Sequence, residues 1–414
     1  MNSASTPRRS TPPPSEESGP PPDGGLAGLA RLAGTFLRLG LTSFGGPAAH
    51  IALMREEFVR RRGWLDDAAY LDLIGAANLI PGPTSSEVAM HVGHRRAGWP
   101  GLVVAGVAFL LPAVLIVAVL AWIYVEYGAR PEVGAILVGV GPVVVAIIAF
   151  AGTGIARAVV QTPLGVAVMI ASVALVLGGA PEIAVLLGLG VASMLIQGAL
   201  TGRRTDAARG LVSVAATPGP GTGGTGGLTA ATAATAAAAV APIAVFAEFF
   251  KIGAVLFGSG YVLVALLRSE LVEGLGWITE TQLIDAVAVG QATPGPLFST
   301  ATFIGYLVGG PLGATAATIG IFLPAFIAVA VSIPLLHRLR GSVHARAFLD
   351  GVNAASVGLL AVVAVELATG SIRDAIGLLT AIGAFVLLVR GVGTAWLVAA
   401  GAAIGLIRLA LPPG

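Results

Sequence analysis

The sequence predicts an all-α polytopic membrane protein built from two inverted homologous repeats, with broken or re-entrant helices at Pro-Gly-Pro motifs. Composition, an internal repeat and opposed loop charges lead there. Of 414 residues, 56% are hydrophobic and only 11% charged, and the mean hydropathy is +0.91. A soluble globular protein carries roughly a quarter charged residues, so this chain cannot cover its own surface in water. Apolar runs at 101–125, 131–156 and 243–267 each exceed the roughly 20 residues that a helix needs to cross a bilayer. They are continuous, without the alternation of lipid-facing barrel strands.

The repeat appears when the sequence is slid by 213 positions. Phe36, Gly40, Phe44, Gly45, Arg55, Glu57, Gly63, Trp64, Asp72, Pro81, Gly82, Pro83 and Ser86 then fall on Phe249, Gly253, Phe257, Gly258, Arg268, Glu270, Gly276, Trp277, Asp285, Pro294, Gly295, Pro296 and Ser299. After a one-residue slip, Gly93, Gly98, Gly101, Pro112 and Gly139 fall on Gly305, Gly310, Gly313, Pro324 and Gly351. Chance overlay of apolar helices would match Ala, Val and Leu, not this set of Gly, Pro, Trp and charges. The organisation is a disordered tail (1–25), a first repeat (26–202), a flexible linker (203–241) and a second repeat (242–412). The tail is rich in Pro and Ser and lacks a signal-peptide pattern. The linker carries Arg203, Arg204 and Arg209, then a Gly/Ala/Thr run.

Each half offers six apolar segments, a to f. They lie near 26–53, 67–93, 99–125, 131–156, 163–179 and 181–200, and again near 243–267, 281–306, 311–336, 346–370, 373–389 and 392–412. Pro-Gly-Pro interrupts segment b in both halves, and Pro breaks a helix. Four Arg lie at 55–62, whereas the equivalent loop of half two has only Arg268. The c–d loops show the reverse: Arg338, Arg340 and Arg346 in half two, against Arg130 with Glu126 and Glu132 in half one. Under the positive-inside rule, equivalent loops therefore face opposite sides. Inversion suggests an odd number of crossings, and a re-entrant segment b gives five, with an external N-terminus. Inverted repeats with broken helices are a recurrent transporter plan, with binding near the midplane.

Three paired features could carry chemistry. Phe44-Gly45-Gly46-Pro47 and Phe257-Gly258-Ser259-Gly260 can open backbone N–H groups toward an anion, or simply allow close helix contact. Pro81-Gly82-Pro83-Thr84-Ser85-Ser86 and Pro294-Gly295-Pro296-Leu297-Phe298-Ser299 start new helices whose first N–H groups suit an anion. Alternatively Thr84 and Glu87, at capping-box spacing, satisfy those donors themselves. Arg38 and Lys251 are equivalent cations within segment a, suited to a divalent oxyanion or to snorkelling. Asn78 and Gln291, three residues before each break, could supply amide donors or cap the break. Asp72, Asp285 and Glu87 are candidates for proton coupling, although an Asp near a helix start has a structural use too.

Leu39-Gly-Leu-Thr-Ser-Phe-Gly-Gly-Pro-Ala-Ala-His50, Asn78-Leu-Ile-Pro-Gly-Pro-Thr84, Gln291-Ala-Thr-Pro-Gly-Pro296 and Arg95-Arg-Ala-Gly98 resemble the signature motifs of the chromate ion transporter family. So do Leu111-Pro112 and Leu323-Pro324. The resemblance spans about residues 30–412 and implies a long-chain, two-domain member that exports chromate, driven by the proton-motive force. It carries over the motif glycines and prolines and the Arg38 position. Ser259 stands where the family commonly has Gly.

A net charge of +2 gives no reason to expect nucleic acid as a partner. Absence of cysteine removes disulfides and thiolate metal sites, the five histidines lack zinc-protease spacing, and no cofactor or metal is expected. The expected partners are an oxyanion, chromate or one of similar shape, and the lipid bilayer, with a homodimer left open. The setting is a prokaryotic cytoplasmic membrane. Sulfate transport is the nearest alternative, since the two ions share charge and shape. A lipid-modifying membrane enzyme is a third reading, for which Asp66-Asp67 is the closest candidate. No Gly-Lys-Ser/Thr occurs, so nothing points to an ATP-driven pump.

Overall fold

A computed structural model describes residues 25–44, 47–128, 130–200, 240–257, 260–339 and 343–410. Gly45, Gly46, Gly258, Ser259, residues 1–24 of the tail and 203–239 of the linker lie outside the described residues. Within the described residues the chain forms fourteen α-helices and no strand. The first half runs α1 (Gly25–Thr42), α2 (Pro47–Arg55), α3 (Asp67–Ala77), α4 (Thr84–Tyr127), α5 (Pro131–Val159), α6 (Pro163–Leu177) and α7 (Glu182–Leu200). The second repeats the order as α8 (Pro242–Val255), α9 (Val262–Leu267), α10 (Glu280–Ala292), α11 (Thr300–Leu339), α12 (Val343–Ser371), α13 (Ala375–Val389) and α14 (Thr394–Ala410). Five helical stretches are long and apolar enough to cross a membrane.

Local sequence explains the starts. Asp66 caps α3 by accepting from the Ala69 N–H, and its equivalent Thr279 caps α10 in a reciprocal box with Gln282. Prolines open α5, α6 and α8, where a missing N–H does no harm. α2 and α9 each continue as a π-helix, Glu56–Arg61 and Arg268–Gly274.

The longest helices, α4 and α11, are each two arms joined by a bend. Gly98 and Gly310 have φ of 61° and 59°, a conformation open to glycine at little steric cost. The arms then fold back: a Cβ on Gly93 would lie 2.3 Å from the Gly101 carbonyl oxygen, and one on Gly305 would lie 2.4 Å from that of Gly313. At the far end of the short arm of α4, the Arg96 guanidinium stacks over Trp64, 4.8 Å from the ring centroid. Trp64 lies three residues before the start of α3. Segment b thus enters, turns at Pro-Gly-Pro and returns to the face it left. The long arm from Trp99 to Tyr127 spans roughly 43 Å at 1.5 Å per residue, enough to cross the bilayer. Its exposed aromatics, Trp99 at one end and Trp122 and Tyr127 at the other, suit the two interfaces.

The halves are inverted. Along α7 and α12, Gly198 lies by His344 and Gly190 by Val352, so these helices are antiparallel. With tight turns joining α5, α6 and α7, α5 runs the same way as α7. It therefore runs opposite to α12, its own repeat equivalent. The same pairing recurs where Ala135 meets Gly405 and Val143 meets Gly401. One expectation needs correcting. Val240, just before α8, donates its N–H to the Val308 carbonyl at 3.2 Å, at the end of the short arm of α11. In the second half, segment a therefore starts at the face to which segment b returns. It runs inward to its own break instead of adding a fifth crossing.

Candidate functional site

Two glycines from the Pro-Gly-Pro breaks reach across into the opposite half. The Gly82 N–H donates to the Leu256 carbonyl at 2.9 Å, and the Gly295 N–H donates to the Ser43 carbonyl at 2.8 Å. Ser43 and Leu256 are themselves repeat equivalents, each ending a segment-a helix at its break. Helix contacts obey the same symmetry: a Cβ on Gly82 would lie 2.6 Å from Ala325 Cβ, and one on Gly295 would lie 2.6 Å from Ala113 Cβ. Both glycines have positive φ, 136° and 105°. The segment-b breaks thus meet the segment-a helix ends around one pseudo-two-fold centre.

Polar groups gather there without partners. The side-chain oxygens of Ser43, Ser86, Ser299 and Thr300 and both carboxylate oxygens of Glu87 are buried with no hydrogen-bond partner. Most buried polar atoms in proteins are paired, so a cluster of exceptions calls for an explanation such as a missing ligand. The capping box that Thr84 and Glu87 offered as the alternative reading does not form. Pro83 is the N-cap with no side-chain bond, Thr84 donates to Asn78 Oδ1 at 3.3 Å, and Glu87 caps nothing. Ser85 is buried and lies 3.3 Å from His50 Nδ1. His50 is a residue that repeat comparison overlooked, because Leu263 stands at its equivalent position.

The remaining candidates are placed as follows. Arg38, its side chain 59% exposed, pairs with Glu57 at 3.0 Å. Lys251, 44% exposed, pairs with Glu248 at 2.6 Å and with Glu270 at 2.7 Å. Glu57 and Glu270 are repeat equivalents, so the two ion pairs are copies of one design. Asp72 is exposed on α3, whereas Asp285 is buried and accepts a 2.8 Å hydrogen bond from Tyr124 of the other half. Phe44 is exposed, and Pro47 opens α2. Pro81 is half-buried, and Pro294 and Pro296 are buried within the second break. Asp66 and Asp67, the acidic pair considered for lipid chemistry, are engaged in capping α3 and in pairing with Arg55.

The sequence pattern of chromate transporters matches residues 30–194 and 243–406. The chain belongs to the chromate transporter family. A chromate transport protein of Cupriavidus metallidurans is 33% identical over 387 residues, covering 92% of this chain and 94% of that protein. A probable chromate transport protein of Synechococcus elongatus is 31% identical over 356 residues, covering 84% and 86%. A chromate transport protein of Pseudomonas aeruginosa is 29% identical over 346 residues, covering 82% and 80%. No solved structure matches. As a member of this family with five apolar spans, the chain is a multi-pass protein of the cell membrane.

Proposed function

We propose that this chromate transporter family member exports chromate from the cytoplasm as a secondary transporter, drawing on the proton-motive force and conferring chromate resistance. The observation that carries the reading is the reciprocal junction of the breaks, where the buried hydroxyls of Ser43, Ser86, Ser299 and Thr300 stand unmatched in a membrane protein. A tetrahedral oxyanion presents acceptors on every side and satisfies such donors. Glycines at 82 and 295 keep the backbone accessible there. The names of the relatives support chromate as the ion.

Direction follows from charge. Moving two negative charges out of an inside-negative cell gains about 2.3 kcal/mol per charge per 100 mV, so export needs little further coupling. Arg38 and Lys251 contribute cationic character to the approach, and Ser85, Ser86, Ser299, Asn78 and Gln291 supply neutral donors around the breaks. Everted membrane vesicles test this reading: chromate uptake should be saturable, respond to an imposed proton gradient, and exceed uptake of sulfate and molybdate. Equal or greater sulfate uptake would reassign the substrate, and no flux of any oxyanion would overturn the reading.

A further inference from the structure

We propose that the chain stands here in a state open to the cytoplasm, and that one face of α3 is the surface that docks on α12 to close it. This rests on the transport reading above. The helices fall into two groups, each drawn from both halves. α1 packs on α4, α8 on α11, and α4 on α11, which gathers segments a to c around the junction. α12 packs on α6 and α7, and α5 packs on α12, α13 and α14, which gathers segments d to f into a second group. The second repeat ties the groups together. Arg268 pairs with Glu366 of α12 at 2.7 Å, and Ser269 donates to Glu182 of α7. Thr394 of α14 donates to the Gln291 carbonyl at 3.5 Å, and a Cβ on Gly141 of α5 would lie 3.9 Å from Ile284. The equivalents in the first repeat close on their own segment instead. Arg55 pairs with Asp67 at 2.7 Å and Glu56 with Arg61 at 3.3 Å, while α3 packs on α4 and α11.

Exposure follows the same division. Ile284, Asp285, Ala288 and Gln291 of α10 are buried, whereas their equivalents Leu71, Asp72, Gly75 and Asn78 are exposed. Leu71 is 62% exposed, against 7% for Ile284. Steps of one, four and seven residues put all four on one face of α3. A face that carries Asp72 and Asn78 within a membrane protein belongs to a water-filled cavity and not to lipid. α3 follows the arginines at 55–62, which mark the cytoplasmic side, so the cavity opens there. Inverted repeats reach the opposite side by exchanging their arrangements. α3 then takes against α12 the place that α10 holds against α5, and α10 lets go. Gly154 stands at the position equivalent to Glu366, so the cytoplasmic closure lacks a counterpart of the Arg268–Glu366 pair. That pair therefore biases the resting chain toward the cytoplasm-open state.

Single cysteines read the state, since the chain has none of its own. In membrane vesicles of either orientation carrying the full-length chain, a membrane-impermeant maleimide should reach Leu71→Cys from the cytoplasmic face alone. It should do so at least about tenfold faster than it reaches Ile284→Cys from the outer face, the ratio set by an outward-open state populated at about 10% or less. Glu366→Gln should slow labelling at position 71 and speed it at position 284. A second measurement bridges Ser269→Cys to Glu182→Cys with a short bis-methanethiosulfonate, which should stop chromate flux until the bridge is reduced. A Leu71→Cys thiol that stays unlabelled faces lipid, and that result overturns the inference, as does labelling from outside. Rates unmoved by Glu366→Gln overturn the bias assigned to its ion pair. Full flux through the bridged protein overturns the exchange of docking faces. Absence of chromate flux before bridging strikes the transport reading instead, and the labelling pattern still decides the state.

Discussion

Gly82 shows how much rests on a missing side chain. A Cβ there would meet both Glu87 and Ala325 within 2.6 Å, and the positive φ is costly for a branched residue. Gly82→Val and Gly295→Val should each reduce chromate flux by roughly 5- to 150-fold, the factor that an overpacking cost of about 1–3 kcal/mol on the transport-competent junction gives. Membrane insertion should be retained, as measured by the amount of protein in the membrane fraction. The paired cations give an unequal prediction. Neutralising Arg38 leaves Glu57 with Arg62 at 2.7 Å, whereas neutralising Lys251 leaves Glu248 and Glu270 without their shared cation. Exposed pairs are worth about 0–1 kcal/mol, so Arg38→Gln should leave thermal stability nearly unchanged and Lys251→Gln should lower it more. If both cations serve the substrate, both variants also raise the half-saturation concentration for chromate. Unchanged values in both would confine them to their ion pairs.

Among the elements, the folded arms of α4 and α11 were partly legible. Pro-Gly-Pro marks the break because ring geometry ends a helix wherever it falls, and the equivalence of Gly93 and Gly101 with Gly305 and Gly313 shows in the repeat. What composition cannot show is that these glycines face each other across a bend, since hydropathy reads the two arms as one apolar run. Gly93→Val and Gly305→Val should each lower the melting temperature in detergent, because the carbonyl 2.3–2.4 Å from the new Cβ belongs to backbone that cannot move aside. The Thr84–Glu87 capping box failed for a related reason: spacing permits a cap, but burial and the turn of Pro83 decide where the carboxyl points. His50 and Tyr124 escaped notice because neither has a repeat partner. Their roles follow from contacts between distant segments, with Ser85 and with Asp285.

At the scale of the whole molecule, opposed loop charges gave the inversion and the antiparallel packing of α7 on α12 bears it out. Residues 55–62 and 343–346 should label from the cytoplasm, and 126–132 and 268–280 from outside. The chain has no cysteine of its own, so single introduced cysteines report cleanly. Because Val240 sits at the end of the short arm of α11 and Gly198 by the start of α12, Gln197→Cys and Ile243→Cys should label from opposite sides. Labelling from one side would contradict the placement of α8.

The central claim is that a divalent oxyanion passes through the junction where the two halves exchange backbone hydrogen bonds. Potential-driven chromate flux in proteoliposomes tests it most directly, with wild type, Gly82→Val and Gly295→Val reconstituted at equal density. The account predicts saturable flux in the wild type, driven by a potential negative on the chromate-loaded side, and loss of that flux in both variants. Wild-type flux in both would contradict it, by showing that the pathway lies elsewhere in the molecule.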